Sequence, residues 1–179
     1  LRVATIIYVI STVALFGISA TYHRGTWGPR THGVLKRMDH ATIFVFIAGT
    51  YTPIALTVVG GTAGSVLLWI VWLSALAGVM FRVFWVGAPR WLTVPVYIAM
   101  GWAAVFFIPT MLSNGGLAIF LLIAIGGLCY SVGAVIYALR RPDPSPKWFG
   151  FQEIFHSFTL GGYVSHYVGI CLAIFGVGV

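Results

Sequence analysis

The fold is decided by a long run without a single charged residue, residues 117–139, which reads LAIFLLIAIGGLCYSVGAVIYAL. A transmembrane helix needs about 20 consecutive apolar residues, so this run is long enough to cross a bilayer. The rest of the chain has the same character, because 60% of its 179 residues are hydrophobic and only 7% are charged. A soluble domain carries about 25% charged residues. The composition therefore excludes a water-soluble globule and predicts an integral membrane protein.

Five further stretches are similar to this run in length and apolarity. Together, the six predicted spans cover about residues 3–23, 39–59, 65–86, 91–112, 117–139 and 151–179. None of them shows the ~10-residue segments of alternating polarity that are typical of a β-barrel. We therefore predict an all-α fold, in which residues 1–179 form a single polytopic transmembrane helical bundle.

The basic residues predict the topology. Nine of the ten Lys and Arg residues lie around alternate loops: Arg24, Arg30, Lys36, Arg37, Arg82, Arg90, Arg140, Arg141 and Lys147. The loops near residues 60–64 and 113–116 carry none. Because cytoplasmic loops are enriched in Lys and Arg, we expect a bacterial inner (plasma) membrane protein with its charged loops in the cytoplasm and Val179 outside. The net charge of +7 then reflects topology and contact with membrane lipids, the expected partners, and not nucleic-acid binding.

Ionisable residues at the spans are the first candidates for function, because a charged group in lipid is costly. The chain has only three acidic residues. Asp143 lies in a loop, whereas Asp39 and Glu153 are expected at the cytoplasmic starts of the second and last stretches. The predicted topology brings His23, Asp39 and His156 to one level of the membrane.

The spacing of these residues suggests a metal site. Ser19 and His23 are four residues apart, as are Gln152 and His156, so each pair lies on one helix face. Neutral imidazoles suit zinc, and a nearby carboxylate can orient or deprotonate a zinc-bound water for hydrolysis of a carbonyl or amide. Histidines in membrane helices also serve as interhelical hydrogen-bond partners, and spacing alone leaves both interpretations open.

Three segments resemble motifs of the hemolysin III family, which belongs with the progestin and adipoQ receptors. Residues 19–23 (SATYH) resemble its Ser-x-x-x-His motif, and residues 38–43 (MDHATI), continuing at 48–53 (AGTYTP), resemble the segment that follows. Residues 152–156 (QEIFH), followed by His166, resemble the motif of the final helix. The resemblance implies a seven-helix fold with its N-terminus inside, of which this chain has six helices and lacks the first. We expect His166 to be a buried hydrogen-bonding partner.

The resemblance also implies a set of site residues. In the adiponectin-receptor branch, zinc is held by the histidine of Ser-x-x-x-His and by two histidines of the last helix, with an aspartate acting through water. By position, the metal residues here are His23, His156 and Gln152, with Asp39 as the catalytic water partner and Ser19 as a hydrogen-bond donor. Gln152 departs from the family's histidine, and its neutral amide is a poor zinc ligand. The zinc site is therefore weak, rebuilt with another group, or empty.

Three functions stay open at this point. The first is a zinc-dependent intramembrane hydrolase of lipid amides, which the resemblance implies. The second is a lipid-homeostasis or sensing protein with a structural metal. The third is a membrane-lytic, pore-forming protein, the activity behind the family name, although the sequence offers no amphipathic lytic helix and no charged pore ring. The residues alone do not decide whether the chain is an enzyme.

Overall fold

The computed structural model describes residues 1–85 and 87–176, so the predicted span ends at Val86 and Val179 lie outside the described residues. The helices are α1 (Arg2–Arg24), α2 (Pro29–Ile54) with a π-helical turn (Ala55–Val59), α3 (Gly61–Phe84), α4 (Arg90–Gly101) with a 3-10 turn (Ala103–Phe107), α5 (Ile108–Leu139) and α6 (Phe151–Phe175). Within the described ranges there is no β-strand, only one isolated bridge between Ser145 and Phe149. The all-α prediction is confirmed.

Five segments of the described chain are helical, long and apolar enough to cross a membrane: Arg2–Arg24, Pro29–Val59, Gly61–Phe84, Arg90–Leu139 and Phe151–Phe175. The fourth has 50 residues. As one straight helix it would be about 75 Å long, more than twice the ~30 Å of a bilayer core. It does not run straight, because Gly116 interrupts it with φ 74° and ψ 172°, a conformation that glycine adopts most readily.

Two hydrogen bonds show that this long segment folds back on itself. Arg90 at the start of α4 donates to the carbonyl of Tyr137 near the end of α5, at 3.2 Å. The Trp102 indole donates to the Ser131 hydroxyl at 2.9 Å. The partners come closer in sequence toward Gly116, which is the pattern of an antiparallel hairpin. The fourth segment is therefore two helical arms that reverse at the uncharged turn near residues 113–116.

The first compact unit, Leu1–Ala88, contains α1, α2 and α3. Close contacts hold α1 against α2 and α2 against α3. A Cβ atom at Gly49 of α2 would overlap the Ser11 side chain of α1, so the two backbones approach closely there. The fully buried Phe44 of α2 packs in the same way on Gly78 of α3. Small residues at such contacts let membrane helices pack side by side.

Helix α2 begins ten residues before the span that the sequence predicts, with Pro29 as its first residue. Proline suits the first helical position, because its fixed φ is already helical and its missing N–H would have no helical partner. Asp39 therefore lies well inside α2, not at a helix start. At the other end, Pro53 precedes the π-helical turn, consistent with the backbone disturbance that a proline introduces.

The second unit, Pro89–Val179, is described to residue 176 and contains α4, α5 and α6. Ser165 and His166 of α6 each bond to a backbone carbonyl of α5. Two glycines allow this approach, because a Cβ at Gly126 would overlap the His166 ring and one at Gly162 would touch the backbone of α5. The α5–α6 pair is thus joined by small residues and interhelical hydrogen bonds together.

Candidate functional site

His23 and Asp39 lie side by side where α1 ends. The distance from His23 Nε2 to Asp39 Oδ2 is 3.9 Å, and the two side chains are 35% and 14% exposed. This separation is longer than a hydrogen bond, so the two groups are neighbours without a direct bond between them. Their common level in the membrane was expected from topology, and within the first unit the structure places them next to each other.

Aromatic side chains surround the end of α1. The Trp27 indole donates to the Thr21 carbonyl at 2.9 Å, which satisfies one of the carbonyls that lack a partner in the last helical turn. The Tyr22 ring meets the His23 ring edge-on, with centroids 4.7 Å apart, and lies 5.2 Å from the His32 ring. These contacts support the segment that carries His23.

Ser19 precedes His23 by one turn of α1 and is half-buried. The four-residue spacing places both side chains on the same side of the helix, as the sequence predicts. Ser19 therefore lies one turn farther along the span from the helix end than His23 does.

The other two carboxylates, those of Glu153 and Asp143, cap the start of helix α6. Glu153 Oε2 accepts the Gly150 N–H at 2.9 Å, and Asp143 Oδ1 accepts the Phe151 N–H at 3.0 Å. Both bonds satisfy donors at the start of α6, which have no helical partner, and negative charge is favourable at a helix N-terminus. The placement of Glu153 at the start of α6 thus has a structural reason. The capping role of Asp143 was missed, although aspartate shortly before a helix is a known capping signal.

Gln152 and His156 lie on α6, in the second unit. Gln152 is half-buried, and His156 is exposed with its ring 5.2 Å from that of Phe155. Their spacing places them on neighbouring positions of one helix face. Gln152 can offer a metal only a neutral amide oxygen.

The donors of the first unit fit a zinc ion in part. An imidazole is a common zinc ligand, and a carboxylate is a second type of ligand or a water-orienting group. A catalytic zinc usually takes three protein ligands, and among residues 1–85 and 87–176 no three His, Cys, Asp or Glu side chains are grouped closely enough to hold a metal. His23 beside Asp39 is the part of the implied site that the structure assembles, and the zinc itself stays a prediction.

Two further helical histidines, His40 and His166, have bonds to the backbone. His40 Nδ1 lies 2.7 Å from the Lys36 carbonyl of its own helix. His166 Nε2 donates to the Ile123 carbonyl at 2.9 Å, so its expected role as a hydrogen-bonding partner is confirmed.

Arg82 is more buried than the sequence predicts. It lies in the last turn of α3, within the predicted span 65–86 and close to the third loop, but it is only 3% exposed. Its spacing of four residues from Gly78, which contacts Phe44 of α2, could have indicated that it faces α2. A basic residue at the end of a span resembles an ordinary topology signal, which is why its burial was not foreseen.

The fold and these positions define an integral membrane protein of several helical spans, with a histidine and an aspartate paired at the end of its first helix hairpin. The family model described as "Haemolysin-III related" matches residues 1–167. The chain therefore belongs to the hemolysin III family, and the resemblance drawn from its motifs is confirmed.

Similar proteins agree with this assignment. The chain is 36% identical over 156 residues to the "Hemolysin-3 homolog" of Bacillus subtilis (strain 168), which covers 87% of this chain and 70% of that protein. It is 32% identical over 160 residues to "Hemolysin-3" of Bacillus cereus, and the match covers 89% of this chain and 70% of that protein. It is 25% identical over 176 residues to "Monocyte to macrophage differentiation factor" of Homo sapiens, and the match covers 94% of this chain and 69% of that protein. No solved structure matches the chain.

Proposed function

We propose that this chain is an intramembrane hydrolase of lipid amides whose site lies where His23, at the end of α1, meets Asp39 within α2. The observation that carries the proposal is the 3.9 Å separation of His23 Nε2 and Asp39 Oδ2. Asp39 is also the one carboxylate of three that does not cap α6. An ionisable pair at a membrane helix end, without a capping role, is a candidate for chemistry.

The spacing of the pair suits a shared water molecule. Two hydrogen bonds of about 2.8 Å can bridge atoms that are 3.9 Å apart, so one water can contact both groups. Asp39 would then orient the water and accept its proton as the water oxygen bonds to the amide carbon, while His23 holds the other side. The C–N bond then breaks and the proton passes from Asp39 to the leaving amine. Ser19, one turn along α1, would donate a hydrogen bond to the substrate carbonyl.

Zinc is part of the proposal, with His23 as its imidazole ligand in the first unit, and the family resemblance implies His156 and Gln152 for the remaining ligand positions. When bound, the metal would polarise the substrate carbonyl and lower the pKa of a bound water. The amide of Gln152 is a weaker ligand than imidazole, so we expect lower zinc affinity than in a chain with histidine there.

The test is release of fatty acid from a short-chain ceramide-type amide by the purified full chain, with zinc or with a chelator. His23→Ala and Asp39→Asn should lower the rate by ~100-fold or more, as expected for loss of an acid–base or ligand group. Arg30→Ala is the control, because Arg30 is an exposed residue in the first turn of α2.

Metal content separates the outcomes. Elemental analysis after dialysis would be run on the natural chain and on Gln152→His. Zinc-dependent release lost in the two site variants supports the proposal, whereas zinc retention without release in either chain would favour a structural metal in a lipid-homeostasis or sensing protein. Equal rates for Asp39→Asn and the natural chain would refute the assigned role of Asp39.

Membrane lysis is a second candidate, because two similar Bacillus proteins carry the name hemolysin-3. Its test is leakage from dye-loaded vesicles of bacterial lipid at low protein concentration. Leakage that persists in His23→Ala and Asp39→Asn would show that lysis does not require the His23–Asp39 site. If the natural chain causes no leakage, membrane lysis is refuted as its function.

A further inference from the structure

Helix α3 ends in a buried cation that has no counter-charge. Arg82 is 3% exposed, and its Nε atom is out of contact with solvent and lacks a hydrogen-bond partner among the described residues. A guanidinium stays charged in proteins and carries five N–H donors in a planar fork. A buried charge that is not paired is strongly unfavourable. Something outside the described chain is therefore needed to satisfy Arg82.

The chain's own carboxylates do not fill this role. All three lie in the described part of the chain, and none of them pairs with Arg82. Asp39 is the partner of His23, and Asp143 and Glu153 cap α6. The negative end of α3 favours a cation in its last turn, but the effect of a helix dipole is smaller than the demand of a desolvated guanidinium.

Two further basic residues, Lys36 and His40, lie near Arg82. Arg82 follows Gly78 by four residues, and His40 precedes Phe44 by four, so the next layer beyond the Gly78–Phe44 contact contains Arg82 and His40. The two side chains do interact electrostatically. Lys36, half-buried, lies one turn before His40 and also acts on it. This end of the α2–α3 pair is thus a basic cluster of Lys36, His40 and Arg82, and Asp39 is the acidic neighbour that also acts on His40.

The geometry points to an oxyanion site in this basic cluster, with Arg82 as its main ligand. The chemical class that fits is a phosphate group, because the guanidinium fork makes two parallel hydrogen bonds to such an anion and the bond strength rises with the charge. The source is either the headgroup of an anionic lipid or a free phosphate. The cluster lies at the end of a membrane-spanning helix pair, where lipid phosphates are found. This site does not depend on the hydrolase activity proposed above.

The test measures thermal unfolding of the full chain in a neutral detergent. Inorganic phosphate is titrated against chloride at equal ionic strength, and phosphatidylglycerol is titrated against phosphatidylcholine. The natural chain should be stabilised by one of the two phosphate sources and not by its control. Arg82→Gln should weaken the apparent affinity by ~10-fold or more, as expected for loss of a charge-assisted bidentate contact.

Arg37→Gln is the matched control, because Arg37 is an exposed arginine of α2. It should keep the response of the natural chain, and a loss as large as that of Arg82→Gln would mean that general surface charge, not the cluster, binds the anion. A response to phosphate alone identifies a soluble ligand, and a response to phosphatidylglycerol alone identifies a headgroup.

Two results would overturn the proposal. One is a natural chain that responds to neither source, and the other is an Arg82→Gln variant that responds like the natural chain. If Arg82→Gln does not fold, Arg82→Lys replaces it, since lysine keeps the charge and loses the fork. A lysine variant with undiminished affinity would then also count against the site.

Discussion

Two histidines, one in each compact unit, show how differently the same side chain can be used. His23 lies at the end of α1, 35% exposed and 3.9 Å from a carboxylate, with no direct bond between the two groups. His166 lies inside the α5–α6 contact, where its Nε2 donates to the Ile123 carbonyl and its ring fills the space beside Gly126. We propose that the first contacts a ligand, whereas the second holds two helices together.

The difference teaches that a histidine in a membrane helix is judged by its neighbours. The imidazole of His166 is held between helices by a backbone carbonyl and a facing glycine. Moving the ring would break an interhelical hydrogen bond and leave a void. A carboxylate 3.9 Å away and an exposed position at a helix end are the surroundings that we propose for contact with a water or metal. The sequence motif of each histidine does not carry this information.

The largest expected effect comes from comparing the two histidines by the same substitution. His166→Ala should lower the free energy of unfolding by about 3 kcal/mol, since it removes an interhelical hydrogen bond and much of a packed ring. His23→Ala should change it by less than about 0.5 kcal/mol, as is usual for exposed positions. Thermal or denaturant unfolding of both variants in one detergent is the measurement. An equal decrease in the free energy of unfolding in both variants would contradict the different roles given to the two histidines.

A smaller effect is expected at the glycine that faces His166. Gly126→Ala should destabilise the chain by about 2 kcal/mol, because the added Cβ overlaps the His166 ring and one helix must shift. Gly127→Ala is the matched control in the next position, where a Cβ meets nothing within 4 Å. The unfolding midpoints of the two variants are to be compared. A stable Gly126→Ala protein would mean that the α5–α6 contact is looser than its geometry indicates.

The smallest effect is expected for the second interhelical bond of this pair. Ser165→Ala removes the hydrogen bond to the Leu122 carbonyl, 2.7 Å long, and should lower the free energy of unfolding by ~0.6 kcal/mol, a typical value between membrane helices. Ser157→Ala serves as its control, because the Ser157 hydroxyl donates to a carbonyl of its own helix and is exposed. If Ser157→Ala lowers the free energy of unfolding by as much as Ser165→Ala does, the interhelical hydrogen bond of Ser165 makes no specific contribution to stability.

The class of fold could be predicted from the sequence because it depends on properties that the residues carry individually. A run such as 117–139 without charge has no stable environment except lipid, and it can satisfy its backbone there only as a helix. The turn near residues 113–116 was also foreseeable, since it combines polar and glycine residues between two apolar runs. At this turn the structure has Gly116 with positive φ.

The contacts that make the site could be predicted only where they follow from helix order. The neighbourhood of His23 and Asp39 follows from a hairpin of two consecutive helices, and the structure shows it. The capping bond of Asp143 depends on the path of a loop, and the burial of Arg82 depends on the rotation of α3 about its axis. Both depend on packing between segments, and the local signals, an aspartate before α6 and the spacing of Arg82 from Gly78, do not specify these contacts alone.

The reversal at Gly116 also has a consequence for how the chain enters a membrane. The Arg90–Leu139 segment brings both of its ends to the same side, and its turn contains Ser113, Asn114 and two glycines but no charge. Each Lys, Arg or Asp near the middle of a spanning helix adds roughly 2.5–3.5 kcal/mol to the free energy of insertion. A turn without such residues adds little, so we expect the two arms to insert together as a preformed hairpin in one translocation event.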